Sequence, residues 1–242
     1  MVYCGQIDKG GEKMKTIGLI GGMSFESTVT YYQLINEEVR DRLGGLHSAK
    51  CIVYSVDFHE IEACQKAGDW ERSAQILGNA AQSLEKAGAD IILICTNTMH
   101  KVAPQVQRAI SVPLLHIGGA TVRTLQREGI TKVGLLGTKY TMQQDFYKEV
   151  LVQEGIDVLI PDEEDMATVN DVIFKELCLG NIREGSRNAF LAIMEKLRQR
   201  GAEGVILGCT EIGLLVKEKD TDIPLFDTTV IHALEAVNWA LA

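Results

Sequence analysis

Apolar residues follow two alternating rhythms along this chain: short runs rich in β-branched side chains, and longer stretches in which apolar positions return every three or four residues. The first run covers residues 16–20, and after it Phe25, Val29, Tyr32, Ile35 and Val39 fall at spacings of four and three. That pattern predicts a strand followed by an amphipathic helix carrying those five residues as its apolar stripe. The alternation continues with strands near 51–56, 90–95 and 114–117 and helices near 69–87 and 99–110. From residue 120 it resumes with a helix to about 128, a strand at 132–136, helices near 141–153, 168–178 and 185–200, a strand at 204–208, a short helix and a closing helix from about 229. Strands separated by helices predict an α/β fold with parallel sheets. The acidic run 162–165 after Pro161 reads as a solvated loop.

The two halves repeat. Ile17-Gly18-Leu19-Ile20-Gly21 matches Val133-Gly134-Leu135-Leu136-Gly137 at an offset of 116 residues. Gly88-Ala89-Asp90 with the strand after it matches Gly201-Ala202-Glu203 at 113, and Val112-Pro113-Leu114-Leu115 matches Ile223-Pro224-Leu225-Phe226 at 111. Three matches in the same order predict a tandem duplication, hence two pseudosymmetric α/β domains with a cleft between them. The expected division is 14–117 for the first domain, completed by the C-terminal segment 214–242, and 118–213 for the second. Residues 1–13 read as an extension outside the fold, ahead of an alternative start at Met14 or a cloning remnant. In α/β sheets the loops leaving the C-terminal strand ends build the ligand site, so chemistry is sought there.

At offset 113, Thr96-Asn97-Thr98-Met99-His100 and Cys209-Thr210-Glu211-Ile212-Gly213 leave equivalent strands, which sets Thr96 opposite Cys209. A one-residue shift would pair Cys95 with Cys209 instead. A thiol at a helix start has its pKa lowered by the free N–H groups there, so Cys209 is a candidate base or nucleophile. The other cysteines, at 4, 51, 64, 95 and 178, form no C-x-x-C pair. Those at 51, 64, 95 and 178 read as packing residues, and the wide scatter is that of reduced thiols rather than a disulfide framework. A net charge of −9 excludes a nucleic-acid binder. No apolar run reaches the ~18–20 residues of a membrane span, and 1–13 lack a signal-like apolar core, so the expected location is cytoplasmic. No G-x-G-x-x-G or G-x-x-x-x-G-K-[ST] follows a strand, and His100 and His116 make no zinc spacing with Cys95. Neither cofactor nor metal is expected.

Gly21-Gly22-Met23-Ser24, the C-N-T-x-H type loop present as Thr96-Asn97-Thr98-Met99-His100, and Gly208-Cys209-Thr210-Glu211 together resemble the cofactor-independent aspartate/glutamate racemases, over essentially all of 14–242. The resemblance implies two pseudosymmetric domains, an active site between them and a homodimer. The family usually has a cysteine in each loop; Thr96 replaces the first here, as in an enterobacterial subset with a broad or L-biased substrate range. Racemisation without a cofactor needs a base on one face of Cα and an acid on the other, and an alcohol is a far weaker base than a thiol. By resemblance Cys209, as thiolate, serves the L face and Thr96 the D face, which makes the enzyme asymmetric.

For a zwitterionic substrate, Asn97, Thr98 and Thr210 can donate to the carboxylate and Glu211 can accept from the ammonium group. The resemblance adds Met23, Thr138 and Gln65 to the binding set. Thr138 and Ser24 also suit helix caps, and Gln65 suits a solvated position. The expected activity is racemisation of aspartate, glutamate or a similar polar amino acid such as homoserine. A single-cysteine decarboxylase or cis-trans isomerase of small dicarboxylates and a two-lobed small-acid binding module are the alternatives.

Overall fold

The computed structural model describes residues 14–242, and the extension expected at 1–13 lies outside the described residues. The first half runs β1 (Ile17–Gly21), α1 (Phe25–Leu43), β2 (Cys51–Ser55), α2 (Phe58–Ala67), α3 (Trp70–Lys86), β3 (Ile91–Ile94), α4 (Ala103–Arg108), β4 (Leu114–Leu115) and α5 (Ile117–Arg127). The second half runs β5 (Lys132–Gly137), α6 (Lys139–Gln143), α7 (Asp145–Val152), β6 (Asp157–Leu159), α8 (Glu163–Lys175), α9 (Glu184–Gln199), β7 (Val205–Gly208), α10 (Ile212–Leu215), β8 (Leu225–Asp227) and α11 (Thr228–Ala240). Each half forms a four-stranded parallel sheet, in the orders β2-β1-β3-β4 and β6-β5-β7-β8. The central strands are apolar on both faces because helices cover both.

The ladders fix the internal equivalence. Ile20 pairs with Ile94 at the end of β1, and Gly137 pairs with Gly208 at the end of β5. Since Gly21 corresponds to Gly137, Cys95 corresponds to Gly208 and Thr96 to Cys209. The register that pairs Thr96 with Cys209 is therefore the one the backbone adopts.

Several local expectations change. Phe25, Val29 and Tyr32 are 67%, 59% and 52% exposed, and α1 buries Ser27, Thr28, Tyr31, Ile35 and Val39 instead. The first turn faces inward with small polar residues because they hold the loop before it. Thr28 Oγ1 accepts from Gly22 N at 2.8 Å and donates to Ser24 O at 2.9 Å. Three elements are absent from the expected list: α2, bounded by an Asp57 N-cap and a left-handed Gly68, and the three-residue edge strands β6 and β8. The acidic run 162–165 is no solvated loop. Asp162 caps α8, accepting from Asp165 N at 2.9 Å, and the next three acidic residues fill the first turn, where the positive end of the helix dipole favours them. The boundary expected at 213 also moves, because β8 pairs with β7 and keeps 214–227 with the second sheet. Only α11 returns, packing Ala233, Ala236 and Val237 against Tyr31, Ile35 and Val39.

This inward face gives a direct test by urea denaturation. Ile35→Ala should lower unfolding free energy by ~2–5 kcal/mol, as for a large-to-small core change, and Val29→Ala by under ~0.5 kcal/mol. Equal losses would restore Val29 to the core.

Candidate active site

The loops leaving β1 and β3 meet those leaving β5 and β7 where the two sheets face one another. Gly22 permits the turn after β1: its φ is +88°, and a Cβ there would overlap the Val56 backbone. Among the polar contacts that cross between the halves, three lie beside this meeting of loops. Ser24 Oγ donates to Glu211 Oε1 at 2.8 Å, the Thr98 and Thr138 hydroxyls lie 3.1 Å apart, and Asn97 Nδ2 donates to Thr228 Oγ1 at 2.9 Å. They close a cavity of about 30 Å³, the room of one water. Of the residues expected from sequence, Met23, Gln65, Thr96, Asn97 and Thr98 line it from the first half, and Thr138, Cys209 and Glu211 from the second. A larger open groove of about 700 Å³ along β8 and α5 contains none of them.

Glu211 organises the second loop. Its carboxylate is 4% exposed; Oε2 accepts from Cys209 Sγ at 3.0 Å and from Thr210 Oγ1 at 2.7 Å. The expectation of a thiol with lowered pKa does not hold. Burial pushes the Cys209 thiol well above its ordinary value, and the adjacent Glu211 carboxylate pushes it further. The four-residue α10 offers too little dipole to oppose them. The resting sulfur is therefore a thiol donating to Glu211.

The contacts of Asn97 and Glu211 leave each with different free atoms than expected. Thr228 gives its own hydroxyl hydrogen to Leu207 O at 2.9 Å, so the atom of Asn97 facing it must be the amide nitrogen. That leaves Asn97 Oδ1, buried and without a partner, as an acceptor at the cavity. Glu211 already receives three hydrogens, which leaves its carboxylate about one further acceptor position. Thr210 is likewise committed, its hydroxyl to Glu211, and it does not line the cavity. Gln65 is buried rather than solvated; its Nε2 meets only the weak acceptor Met99 Sδ, at 3.1 Å, and stays available as a donor. Ser24 and Thr138 do cap α1 and α6, yet both also reach across the cleft.

Sequence reasoning missed Phe58, Ile173 and Phe174, which make the apolar wall, and Cys178, which lines the cavity as well. Phe58 had no visible signal because it opens the unforeseen α2; Phe174 falls within the expected helix, as part of α8, where its facing the cleft depends on tertiary packing. Among the described residues, no lysine or arginine lines the cavity. Cys95 is fully buried behind the loop with its thiol pushed far up by burial, and no base is available there. Among the described residues, no group of three or more His, Cys, Asp or Glu is placed to hold a metal ion, and no helix is long and apolar enough to cross a membrane.

The chain is similar to known proteins over nearly its whole length. A model of the Asp/Glu/Hydantoin racemase family matches residues 20–236. The curated broad specificity amino-acid racemase RacX of Bacillus subtilis is 26% identical over 231 residues, covering 93% of this chain and 98% of its own. A crystal structure of a candidate Asp/Glu racemase from Yersinia pestis is 55% identical with a TM-score of 0.89, covering 95% of this chain and all of its own. An aspartate racemase homologue from Pyrococcus horikoshii is 38% identical with a TM-score of 0.84 at the same coverage.

Glu211→Gln removes the negative charge beside Cys209 and keeps an acceptor for its hydrogen. The thiol pKa should fall, though burial, the larger cause, still holds it above the ordinary range. Thiolate absorbance at 240 nm during pH titration reads this, with Cys209→Ser as blank. An unchanged or higher midpoint would mean that the carboxylate does not govern the sulfur.

Proposed function

From membership of the Asp/Glu/Hydantoin racemase family, to which this chain belongs, we propose that it interconverts L- and D-amino acids by proton transfer at Cα, using side chains alone. The observation that carries the reading is the placement of Cys209 and Thr96 at equivalent ends of β7 and β3, both lining one closed cavity. A reacting carbon between them presents opposite faces to a sulfur and an oxygen.

The contacts support one order of proton movements. Cys209 passes its S–H proton to Glu211 Oε2, 3.0 Å away. The thiolate then takes the Cα proton of an L-amino acid, and the resulting carbanion takes a proton from the Thr96 hydroxyl on the other face. Water re-protonates Thr96 as Glu211 releases its proton to solvent, and the starting state returns. The Thr98, Thr138 and Gln65 donors suit the substrate carboxylate, and the free Asn97 Oδ1 suits the ammonium group. With no cation among the described lining residues and an apolar wall from Phe58, Ile173 and Phe174, the site accepts neutral polar side chains such as homoserine alongside aspartate and glutamate. By family resemblance the protein works as a cytoplasmic homodimer.

In deuterated water the L-enantiomer should exchange its Cα hydrogen faster than it racemises, since Cys209 can return a deuteron to the face it served. Cys209→Ser should lose both processes by ~10²–10⁴-fold, the usual value of a positioned acid or base. A folded Cys209→Ser protein that keeps most of its racemase activity would refute the assignment, and a substrate panel confined to aspartate would refute the neutral-side-chain reading.

A further inference from the structure

The two catalytic loops close differently although the strands beneath them are equivalent. In the second, Ile212 N donates to the carbonyl of Cys209 at 3.1 Å. In the first, the corresponding backbone bond lands one residue later, from His100 N to Asn97 O at 3.0 Å, and leaves the Thr96 carbonyl to a side chain. His100 Nδ1 lies 2.8 Å from that carbonyl oxygen, while its Nε2 accepts from Ile117 N at 3.1 Å. A ring nitrogen that accepts a backbone N–H carries no hydrogen, so this imidazole is neutral, with its hydrogen on Nδ1, and donates to Thr96 O. With Thr96 N bonded to Ile94 O at 2.8 Å, both backbone groups of Thr96 are tied.

The ring is itself fixed. His116 and His232 stand edge-on to it at centroid distances of 4.6 and 5.7 Å. His116 Nδ1 accepts from Gly118 N at 3.1 Å. His232 Nε2 donates to Leu115 O at 2.9 Å, and its Nδ1 accepts from the Tyr31 hydroxyl at 2.9 Å. Burial holds His100 well below its ordinary pKa and lowers His116 to about 4 and His232 to about 3, so the stack stays uncharged at neutral pH. At offset 113 the counterpart of His100 is Gly213. The tether therefore exists only on the side where the reacting group is an alcohol.

We propose that His100 is a positioning residue: it orients Thr96 for proton transfer on its face of the substrate, and couples that loop through Ile117 to the segment that joins the two halves. The inference rests on the role given to Thr96 above. An alcohol is a poor acid and tolerates little misplacement, and a shift near 1 Å can cost ~10²-fold in rate.

The test compares His100→Phe, which keeps a ring and removes both hydrogen bonds, with His100→Asn, whose amide N–H can occupy the Nδ1 position. Two rates are read in deuterated water: Cα exchange of the L-substrate, which reports Cys209, and racemisation, which also needs Thr96. For His100→Phe, racemisation should fall ~10- to 100-fold while L-exchange stays within ~3-fold, and His100→Asn should recover most of the loss. A fall of both rates by one factor, or no fall in racemisation, overturns the proposal. If the phenylalanine variant does not fold, His100→Gln, which reaches Ile117 N and not Thr96 O, takes its place with the same expected split. Thr96→Ala separates the two readings. Racemisation surviving Thr96→Ala removes the role of Thr96, whereas racemisation lost in Thr96→Ala and kept in His100→Phe removes only the role of His100.

Discussion

One buried carboxylate joins the two halves of this molecule at the place where they do chemistry. Glu211 takes a hydrogen from Ser24 at the start of α1, and two more from Thr210 and Cys209 in its own loop. Burying such a group without partners would cost several kcal/mol, so its three donors are conditions for a closed cleft. Much of the surrounding sequence serves that arrangement. Gly22 makes the turn that presents Ser24, Thr28 pins the same turn, and the inward rotation of α1 at Ser27 and Thr28 follows.

Duplication supplies symmetric positions, and substitution makes them unequal. β3 and β7 hold equivalent places in their sheets, and the equivalent residues Thr96 and Cys209 that follow them line one cavity. One of these residues is a thiol hydrogen-bonded to a carboxylate, and the other an alcohol whose backbone is held by an imidazole. A soft, acidic sulfur and a hard, weakly acidic oxygen call for different support, and each loop has its own.

Sequence reading works where burial dictates residue type. The runs at Ile17-Gly18-Leu19-Ile20 and Val205-Ile206-Leu207 are strands because sheets covered on both faces need apolar residues throughout. The internal repeat gave the two-sheet architecture and brought Thr96 and Cys209 together. It failed where a tertiary contact overrides a local rule. Phe25, Val29 and Tyr32 have the spacing of a buried stripe, yet the loop before α1 draws Ser27 and Thr28 inward. The pKa of Cys209 could not be read because it depends on burial and on which way Glu211 turns. The free Oδ1 of Asn97 depends on Thr228, 131 residues away in the chain.

The most direct test of the carboxylate as the joint between the halves is a double-mutant cycle on Ser24→Ala and Glu211→Gln, read as unfolding free energy by chemical denaturation. A hydrogen bond buried across the cleft predicts a coupling of ~1–3 kcal/mol, with the double variant losing less than the two single losses together. Additive losses, within ~0.5 kcal/mol, would show that Ser24 and Glu211 act independently and would contradict the account.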